Sequence, residues 1–230
     1  MEYKLVADSC CELVPALTGP LNARTAPLTI LLDDVSYVDD DSMDIPRFLA
    51  AMKQSRHIPK SACPAPDVWA RLFLEAKEVF AVTLSSKLSG SYNSAMVARE
   101  MVESEHPGHR VHVFDSLSAS AGEIAVGIRI KECAEAGMAF DEIVREVTAF
   151  IHGMKTYFIV ENLDTLIKAG RMGRLTGYVA SAMSLRPIMM GDAGEIKLYE
   201  KARGSVRAFT RLVDIIGERR SNFSDRTLVI

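Results

Sequence analysis

The sequence predicts an α/β fold in which a parallel sheet is covered by helices on both faces. Between residue 3 and about residue 154, short apolar runs typical of buried parallel strands alternate with helical patterns. Two of these runs end in the pair Asp-Ser, and polar side chains at such strand ends are common where α/β proteins bind ligands. The alternation changes near residue 155, so we predict one domain over residues 1–154 and a second over residues 155–230.

In the first domain, each predicted strand is a short run rich in apolar or β-branched residues. These runs are residues 3–8, 26–32, 35–38, 79–84 and 111–116. The predicted helices are residues 12–17, 45–54, 67–77, 95–102, 121–136 and 140–154. Pro27 stands near the start of its strand, where it need not donate to a ladder. Three prolines within residues 57–66 hold that segment extended.

The second domain mixes strands and helices in a different order. The predicted strands are residues 157–160, 187–190, 195–200 and 227–230, with a turn over residues 191–194. The predicted helices are residues 162–169, 178–184 and 205–219. Between the first two helices lies the stretch 170–177, which contains three glycines and two arginines. This order indicates a smaller, two-layer α/β unit.

The composition is that of an ordinary globular protein and excludes several classes of function. Apolar residues make up 48% and charged residues 25% of the 230 residues, which fits a soluble domain. A net charge of −3 argues against a nucleic-acid partner, because a surface that follows phosphates is normally basic. No apolar run is long enough to cross a bilayer and the N-terminus lacks a signal-peptide pattern, so we expect no stable membrane insertion.

Cysteine and histidine spacing indicates neither a disulfide framework nor a metal site. Cys10, Cys11, Cys63 and Cys133 form no C-x-x-C pair. The histidines at positions 106, 109 and 112 lie around a Pro-Gly pair that breaks any helix. We therefore expect no metal and no cofactor, and the thiols fit a reducing, cytoplasmic location.

A loop rich in serine and glycine, residues 84–94, joins a predicted strand to a predicted helix. Such a loop leaves backbone N–H groups unpaired and directs the positive end of the helix dipole at one point, which favours an anion. The simpler interpretation is that Ser89 or Ser91 only caps the helix. Asp8 and Ser9 have the same two interpretations, as part of a ligand crevice or as the cap of the helix that follows them.

Three segments together resemble the DegV family of bacterial fatty-acid-binding proteins: residues 60–66, 85–95 and 163–172. The Asp-Ser pairs at two strand ends fit the same family, and the resemblance runs from the first strand to the last residue. The second and third segments match most specifically. Residues 61–65 read Ser-Ala-Cys-Pro-Ala where the family usually has Thr-Ser-Gln-Pro-Ser, and Ala169 replaces the first glycine of its Gly-Gly-Arg.

The resemblance implies a Rossmann-like domain and a second α/β domain, with one long-chain fatty acid such as palmitate or oleate buried between them. It implies a binding protein rather than an enzyme, which presents the ligand's carboxylate to a separate fatty acid kinase for phosphorylation. Hydroxyl groups and backbone amides hold that carboxylate. This agrees with the donors expected in the loop of residues 84–94, which we call the anion loop. Carried over by motif, the ligand-binding residues are Ser61, Ala62, Ser89, Gly90, Asn93 and Arg171. No residue is expected to be catalytic.

Two features of the second domain leave alternatives open. Arg171, in a glycine-rich turn, either pairs with the carboxylate or a later phosphate, or forms a salt bridge between the domains. The methionines at positions 172, 183, 189 and 190 suit an apolar tunnel for an acyl chain, because their side chains are flexible and polarizable. Each of them fits ordinary core packing equally well.

Two other functions compete with lipid binding. A serine-dependent lipid hydrolase would use Ser89 or Ser91 as its nucleophile, but the loop lacks Gly-x-Ser-x-Gly and no histidine is recognisable as the base. A nucleotide-binding enzyme would need a phosphate loop of the type Gly-x-x-x-x-Gly-Lys-Ser/Thr or Gly-x-Gly-x-x-Gly after a strand. Neither pattern follows a predicted strand here.

The sequence stops within the apolar run 227–230, with no turn or cap after it. The resemblance implies that relatives continue into a glycine-rich segment whose histidine contributes to the carboxylate site. Either the C-terminal part is shortened or the family's carboxylate site is incomplete in this protein, and we expect a more open lipid pocket with low fatty acid affinity. We also expect the terminal strand to pair with a second copy through its unprotected edge.

Overall fold

The computed structural model describes residues 3–13, 23–160, 163, 166–167, 169–172, 185–219 and 229. Contacts within the chain divide it into two compact units, whose boundary in sequence lies between Met154 and Lys155. Val229 groups with the first unit. Within the described ranges, no helix combines the length and the apolar character that crossing a bilayer requires.

The described residues form strands and helices in both units. The strands are β1 (Tyr3–Asp8), β2 (Arg24–Ala26), β3 (Thr29–Leu32), β4 (Val35–Val38), β5 (Lys60–Ala62), β6 (Glu78–Thr83), β7 (Arg110–Asp115), β8 (Tyr157–Ile159), β9 (Leu185–Asp192) and β10 (Glu195–Arg203). The helices are α1 (Ile45–Gln54), α2 (Pro66–Phe73), α3 (Ser91–Glu105), α4 (Ala121–Glu135), α5 (Phe140–Gly153) and α6 (Ser205–Arg219). β1 to β7 and α1 to α5 belong to the first unit, and the remaining elements belong to the second.

The first unit is built on a four-stranded parallel sheet with the strand order β2-β1-β6-β7. Ala7 of β1 lies opposite Val82 of β6, and Thr83 of β6 lies opposite Asp115 of β7. The strands therefore end level with one another. This register brings the loops that follow β1, β6 and β7 to one edge of the sheet.

Both faces of this sheet are covered, as the sequence predicts. Side chains alternate between the faces along each strand, so consecutive residues of β1 and β6 enter different cores. One core joins the sheet to α4 and α5 through Leu5, Ala7, Phe80, Val82, Val126, Ile130, Ile143 and Val147. The other joins it to α2 and α3 through Val6, Val79, Ala81, Trp69, Phe73, Ala95 and Ala98. The α/β fold class is confirmed.

The single strand predicted over residues 26–32 is wrong, because this run forms two strands in two different sheets. β2 pairs in parallel with β1, whereas β3 pairs antiparallel with both β4 and β5 in a separate three-stranded sheet. Pro27 has no amide to donate and separates the two ladders. The Leu28 amide donates to the Ser9 hydroxyl at 3.0 Å, which fastens the crossing point to the end of β1.

The helix predicted over residues 67–77 is too long. α2 begins at Pro66, where its missing amide is harmless, and ends at Phe73. In the turn that follows α2, Glu75 forms an ion pair with Lys4 of β1. This lysine is almost fully buried. The chain then enters β6 directly.

The second unit contains a three-stranded antiparallel sheet with the order β10-β9-β8, covered by α6 through the buried side chains of Ala208 and Ile215. The hairpin of β9 and β10 is longer than predicted. Its turn consists only of Ala193 and Gly194, which have positive φ values of 48° and 85° and suit the right-handed twist of the strands. The predicted helices 12–17, 162–169 and 178–184 and the strand 227–230 lie largely outside the described residues.

The loop between β7 and α4 has a constrained backbone. Leu117 and Ser120 have φ values of 52° and 51°, in the left-handed region that residues with a Cβ rarely adopt. The loop turns back on itself, because the Ser116 hydroxyl donates to the Ser118 carbonyl at 3.2 Å and accepts from the Ser118 amide at 3.1 Å. A Cβ on Gly122 would lie 2.5 Å from Ser118 Cβ, so the start of α4 has room only for glycine there.

Glu123 is a fully buried carboxyl group at the third position of α4, with an exposed fraction of 0%. Its Oε1 accepts from the Ser120 amide at 3.2 Å, whereas Oε2 has no hydrogen-bond partner among the described residues. Burial, and next the negative charge of neighbouring Asp8, raise the pKa of Glu123 well above its usual range. The protonated form is therefore the one that the fold favours.

We expect Gly122→Ala to lower the free energy of unfolding by about 1–3 kcal/mol, the usual cost of forcing extra volume into a closely packed site. The clash with buried Ser118 outweighs the ~1 kcal/mol by which alanine is the better helix former. Gly153→Ala in α5 is the matched control, since nothing lies within 4 Å of a Cβ there. Urea unfolding followed by circular dichroism measures both variants. Equal stability of Gly122→Ala and the unsubstituted protein would contradict the close packing.

We expect the stability contributed by Glu123 to fall as the pH rises. Its pKa is higher in the folded than in the unfolded chain, so this stability is fully present below the unfolded value of about 4.3 and is lost as the pH approaches the folded value. Glu123→Gln cannot ionise. The stability difference in favour of that variant should therefore widen above about pH 5, by at most ~1.4 kcal/mol per pH unit. Urea unfolding at a series of pH values measures the difference, and parallel curves would refute this expectation.

Candidate functional site

Asp8, the last residue of β1, is fully buried and accepts three hydrogen bonds. Its Oδ2 accepts from the Leu84 amide at 3.0 Å and from the Ser91 hydroxyl at 2.6 Å, and its Oδ1 accepts from the Cys10 amide at 3.2 Å. Burial raises the pKa of Asp8, and the hydrogen bonds from Ser91, Leu84 and Cys10 oppose that rise. This side chain therefore joins the end of β1 to the serine- and glycine-rich loop after β6.

The loop after β6 is also fixed by backbone hydrogen bonds. The Ser85 amide donates to the Ser118 carbonyl at 2.8 Å, which ties this loop to the one after β7. The Ser85 carbonyl accepts from the amides of Leu88 at 2.9 Å and Ser89 at 3.1 Å. The backbone is thus closed into a compact turn that ends at Ser89.

The start of α3 presents amides that have no acceptor among the described residues, next to this turn. Gly90 occupies the N-cap position, so the interpretation of Ser89 or Ser91 as the capping residue is corrected. The Ser89 hydroxyl accepts from the Ser91 amide at 3.2 Å. Within the described part of the chain, the amides of Gly90, Tyr92 and Asn93 have no acceptor, and Gly90 and Asn93 are exposed. The helix dipole adds positive potential at the same point, so these amides suit an anion.

The extended segment that carries Ser61 and Ala62 continues to the loop after β6. Both residues are exposed on β5, the strand that pairs with β3. Directly after them, Cys63 packs against the loop, since a Cβ on Gly90 would lie 3.3 Å from its Sγ. The Ser94 hydroxyl, in the first turn of α3, donates to the Pro64 carbonyl at 2.5 Å. The segments that hold the predicted site residues of the first unit are therefore neighbours.

Arg171 belongs to the second unit and is half-buried. Its guanidinium donates from Nη1 to the Ala169 carbonyl at 2.5 Å, and its amide donates to the Leu166 carbonyl at 3.0 Å. Gly170 has a φ of 72°, which explains the glycine in this turn. These contacts fix the backbone of the turn, and the role of Arg171 toward a ligand stays a prediction.

Two of the clustered methionines lie in the core of the second unit. Met172 and Met189 are buried together with Leu163. Met190 is partly buried on β9, and Met183 lies outside the described residues. For Met172 and Met189 the core-packing interpretation therefore describes what the structure contains, and a tunnel lined by methionine stays a prediction.

Sequence reasoning missed the buried pair of Asp8 and Glu123. For Asp8 the sequence leaves open a ligand crevice or a helix cap, and Glu123 is one acidic residue in a helix rich in alanine and isoleucine. The only available signal was a carboxylate at the end of a strand in a sheet of this class. Their burial depends on contacts between elements that are far apart in sequence.

The described residues at this edge of the sheet offer hydrogen-bond donors to a ligand. Hydroxyl groups and amides converge near Ser89 and Gly90, which suits a carboxylate or another small anion. No histidine of the described chain is hydrogen-bonded to the hydroxyl of Ser89 or Ser91, and His57 pairs with Asp33 on the surface. Among the described residues, no cluster of His, Cys, Asp and Glu could hold a metal ion.

Comparison with known proteins gives a consistent result. A family profile described as an uncharacterised protein of the DegV family matches residues 2–230. A DegV domain-containing protein of Streptococcus pneumoniae is 36% identical over 218 residues, which cover 93% of this chain and 77% of that protein.

Two solved structures share the fold over most of their length. A DegV family protein from Ruminococcus gnavus, refined with vaccenic acid, has a TM-score of 0.91 and 37% identity over 98% of this chain and 81% of its own. The Fatty Acid Kinase B3 protein of Streptococcus pneumoniae, loaded with linoleic acid, has a TM-score of 0.87 and 34% identity over 95% of this chain and 79% of its own. The profile match, the identity to a curated relative and the fold together show that this chain belongs to the DegV family.

Proposed function

We propose that this protein binds a long-chain fatty acid and holds its carboxylate with Ser61, Ser89 and the amides at the start of α3. The observation that carries the proposal is the group of amides of Gly90, Tyr92 and Asn93, which have no acceptor among the described residues and lie beside the Ser89 hydroxyl. A carboxylate placed there would accept several charge-assisted hydrogen bonds at the positive end of a helix. The further prediction that the acyl chain lies between the two domains remains part of this proposal.

Relatives support the choice of ligand class. The Ruminococcus gnavus protein is refined with vaccenic acid, and the Streptococcus pneumoniae protein is loaded with linoleic acid. Both are long-chain unsaturated acids with one carboxylate and no other charged group. The loop of this chain provides hydrogen-bond donors for that single charged group.

The geometry gives little support to a serine hydrolase. The Ser91 hydroxyl is fully buried and donates to Asp8, so it can neither reach a substrate nor meet a histidine base. The Ser89 hydroxyl is half-buried and accepts a hydrogen bond from the Ser91 amide. We therefore propose binding without turnover.

We further propose that the bound acid is presented to a fatty acid kinase, which phosphorylates its carboxylate. The similarity to the Fatty Acid Kinase B3 protein supports this role. Arg171 would then contact the carboxylate or the phosphate formed on it. Because a kinase draws on a nucleoside triphosphate, this exchange would take place in the cytoplasm, as the cysteine pattern also indicates.

We expect Ser89→Ala to weaken oleate binding by about 1–3 kcal/mol, as does the loss of a hydrogen bond to a charged group. Titration of the purified protein with oleate measures the affinity, after native mass spectrometry has shown whether a fatty acid co-purifies. Ser104→Ala is the matched control, since Ser104 is exposed on the same helix and its hydroxyl donates only to the Met101 carbonyl. Equal oleate affinity of both variants and the unsubstituted protein would show that Ser89 does not hold the carboxylate.

We expect Arg171→Ala to impair either fatty acid binding or phosphorylation of the bound acid, with the fold retained. The reason is the loss of a guanidinium that can bind a carboxylate or phosphate with two hydrogen bonds. Oleate titration and a kinase assay with a cognate kinase separate the two effects. Arg207→Ala, an exposed arginine on α6, is the control. If both readouts of the Arg171 variant match the control, Arg171 has no part in the site.

A further inference from the structure

Asp8 holds both ends of the proposed anion loop with a single oxygen atom. Its Oδ2 accepts from the amide of Leu84, where the loop begins, and from the hydroxyl of Ser91, where α3 begins. Asp8 and Ser91 are 83 residues apart in sequence and both are fully buried. The proposed contact with the ligand carboxylate uses neither the Leu84 amide nor the Ser91 hydroxyl. The convergence of these two donors on Asp8 therefore needs another explanation.

We propose that Asp8 is a positioning residue for the ligand carboxylate. By fixing Leu84 and Ser91 at the same point, it sets where the intervening Ser89 hydroxyl and the first amides of α3 lie. This inference rests on the proposed function, because it assigns Asp8 a part in the same site. It differs from a general role in folding, since it requires that Asp8 and Ser89 act together on the ligand.

The number of donors at Asp8 explains why a carboxylate is required. Three donors converge on it, from Leu84, Ser91 and Cys10, and both of its oxygens are used. An asparagine at this position has one acceptor oxygen, and its amide nitrogen would meet at least one of these donors. Among the described residues, no ion pair involves Asp8, and its observed polar contacts are hydrogen bonds.

Glu123 limits the negative charge at this place. Its carboxyl group is fully buried beside Asp8, and its pKa is raised by burial and by that neighbour. The pair therefore carries about one negative charge rather than two when Glu123 is protonated. A ligand carboxylate at the start of α3 would then interact with the positive end of the helix dipole, and the ionised Asp8 would be the one buried negative charge of this pair.

The test is a double-mutant cycle on oleate affinity with Asp8→Asn, Ser91→Ala and Ser89→Ala. Each of the first two variants should weaken oleate binding by about tenfold, equivalent to ~1.4 kcal/mol. In either background, adding Ser89→Ala should cost much less than it does in the unsubstituted protein, because Ser89 is already misplaced. Additive losses would indicate a structural role alone and overturn the inference.

A control separates position from stability. Ile143→Val removes one methyl group from the core between the sheet and helices α4 and α5, on the face of the sheet opposite α3. Ile143 is fully buried there. It should lower the melting temperature and leave the oleate affinity unchanged. An equal loss of affinity in this variant would mean that any destabilisation weakens binding, which also overturns the inference.

The outcomes distinguish this inference from the function on which it rests. If Ser89→Ala weakens binding while Asp8→Asn and Ser91→Ala bind oleate normally, Asp8 has no positioning role and the proposed site stands. If the unsubstituted protein does not bind oleate, both are overturned. If Asp8→Asn does not fold, Ser91→Ala decides the question, since it removes one hydrogen bond and keeps the buried charge.

Discussion

The alignment of parallel strand ends at one edge of the sheet is the constraint on which this structure depends. Backbone amides that leave the ladder at this edge need acceptors, and here they find carboxylates. Asp8 accepts from Leu84, and Asp115 accepts from Ser86 and Leu117. Two strand-end acids therefore fix the loop between them. The anion loop is a product of the same hydrogen bonds that complete the sheet.

Much of the fold could be predicted because it follows from periodicity. Apolar runs long enough for one strand, separated by amphipathic helices, permit few arrangements other than a covered parallel sheet. The failures have local causes. Residues 26–32 form one unbroken apolar run, and only the three-dimensional path shows that Pro27 divides it between two sheets. The hairpin of β9 and β10 is longer than expected because charged residues such as Arg186 and Lys201 continue the ladder beyond its apolar centre.

The candidate site divides in a similar way. Ser89, Gly90 and Asn93 could be proposed as site residues because they lie in a serine- and glycine-rich loop between a strand and a helix, which has a local chemical meaning, and because the family motif covers them. The hydrogen bonds of Asp8 could not be predicted, because two of its three donors lie 76 and 83 residues away in sequence. Ser61 is proposed through family resemblance, and its proximity to the loop depends on the packing of Cys63 against Gly90.

The small antiparallel sheet has a consequence for ligand exchange. Its strands β3, β4 and β5 contain only 4, 4 and 3 residues, and most of their side chains are at least partly exposed. Hydrogen bonds in such a sheet open at a lower free-energy cost than those of the buried parallel sheet. Ser61 and Ser89 thus belong to cooperative units of unequal stability. If the proposed site holds a fatty acid carboxylate, its Ser61 side would open transiently while the Ser89 side stays folded, and such local opening would give the lipid a route of release without global unfolding.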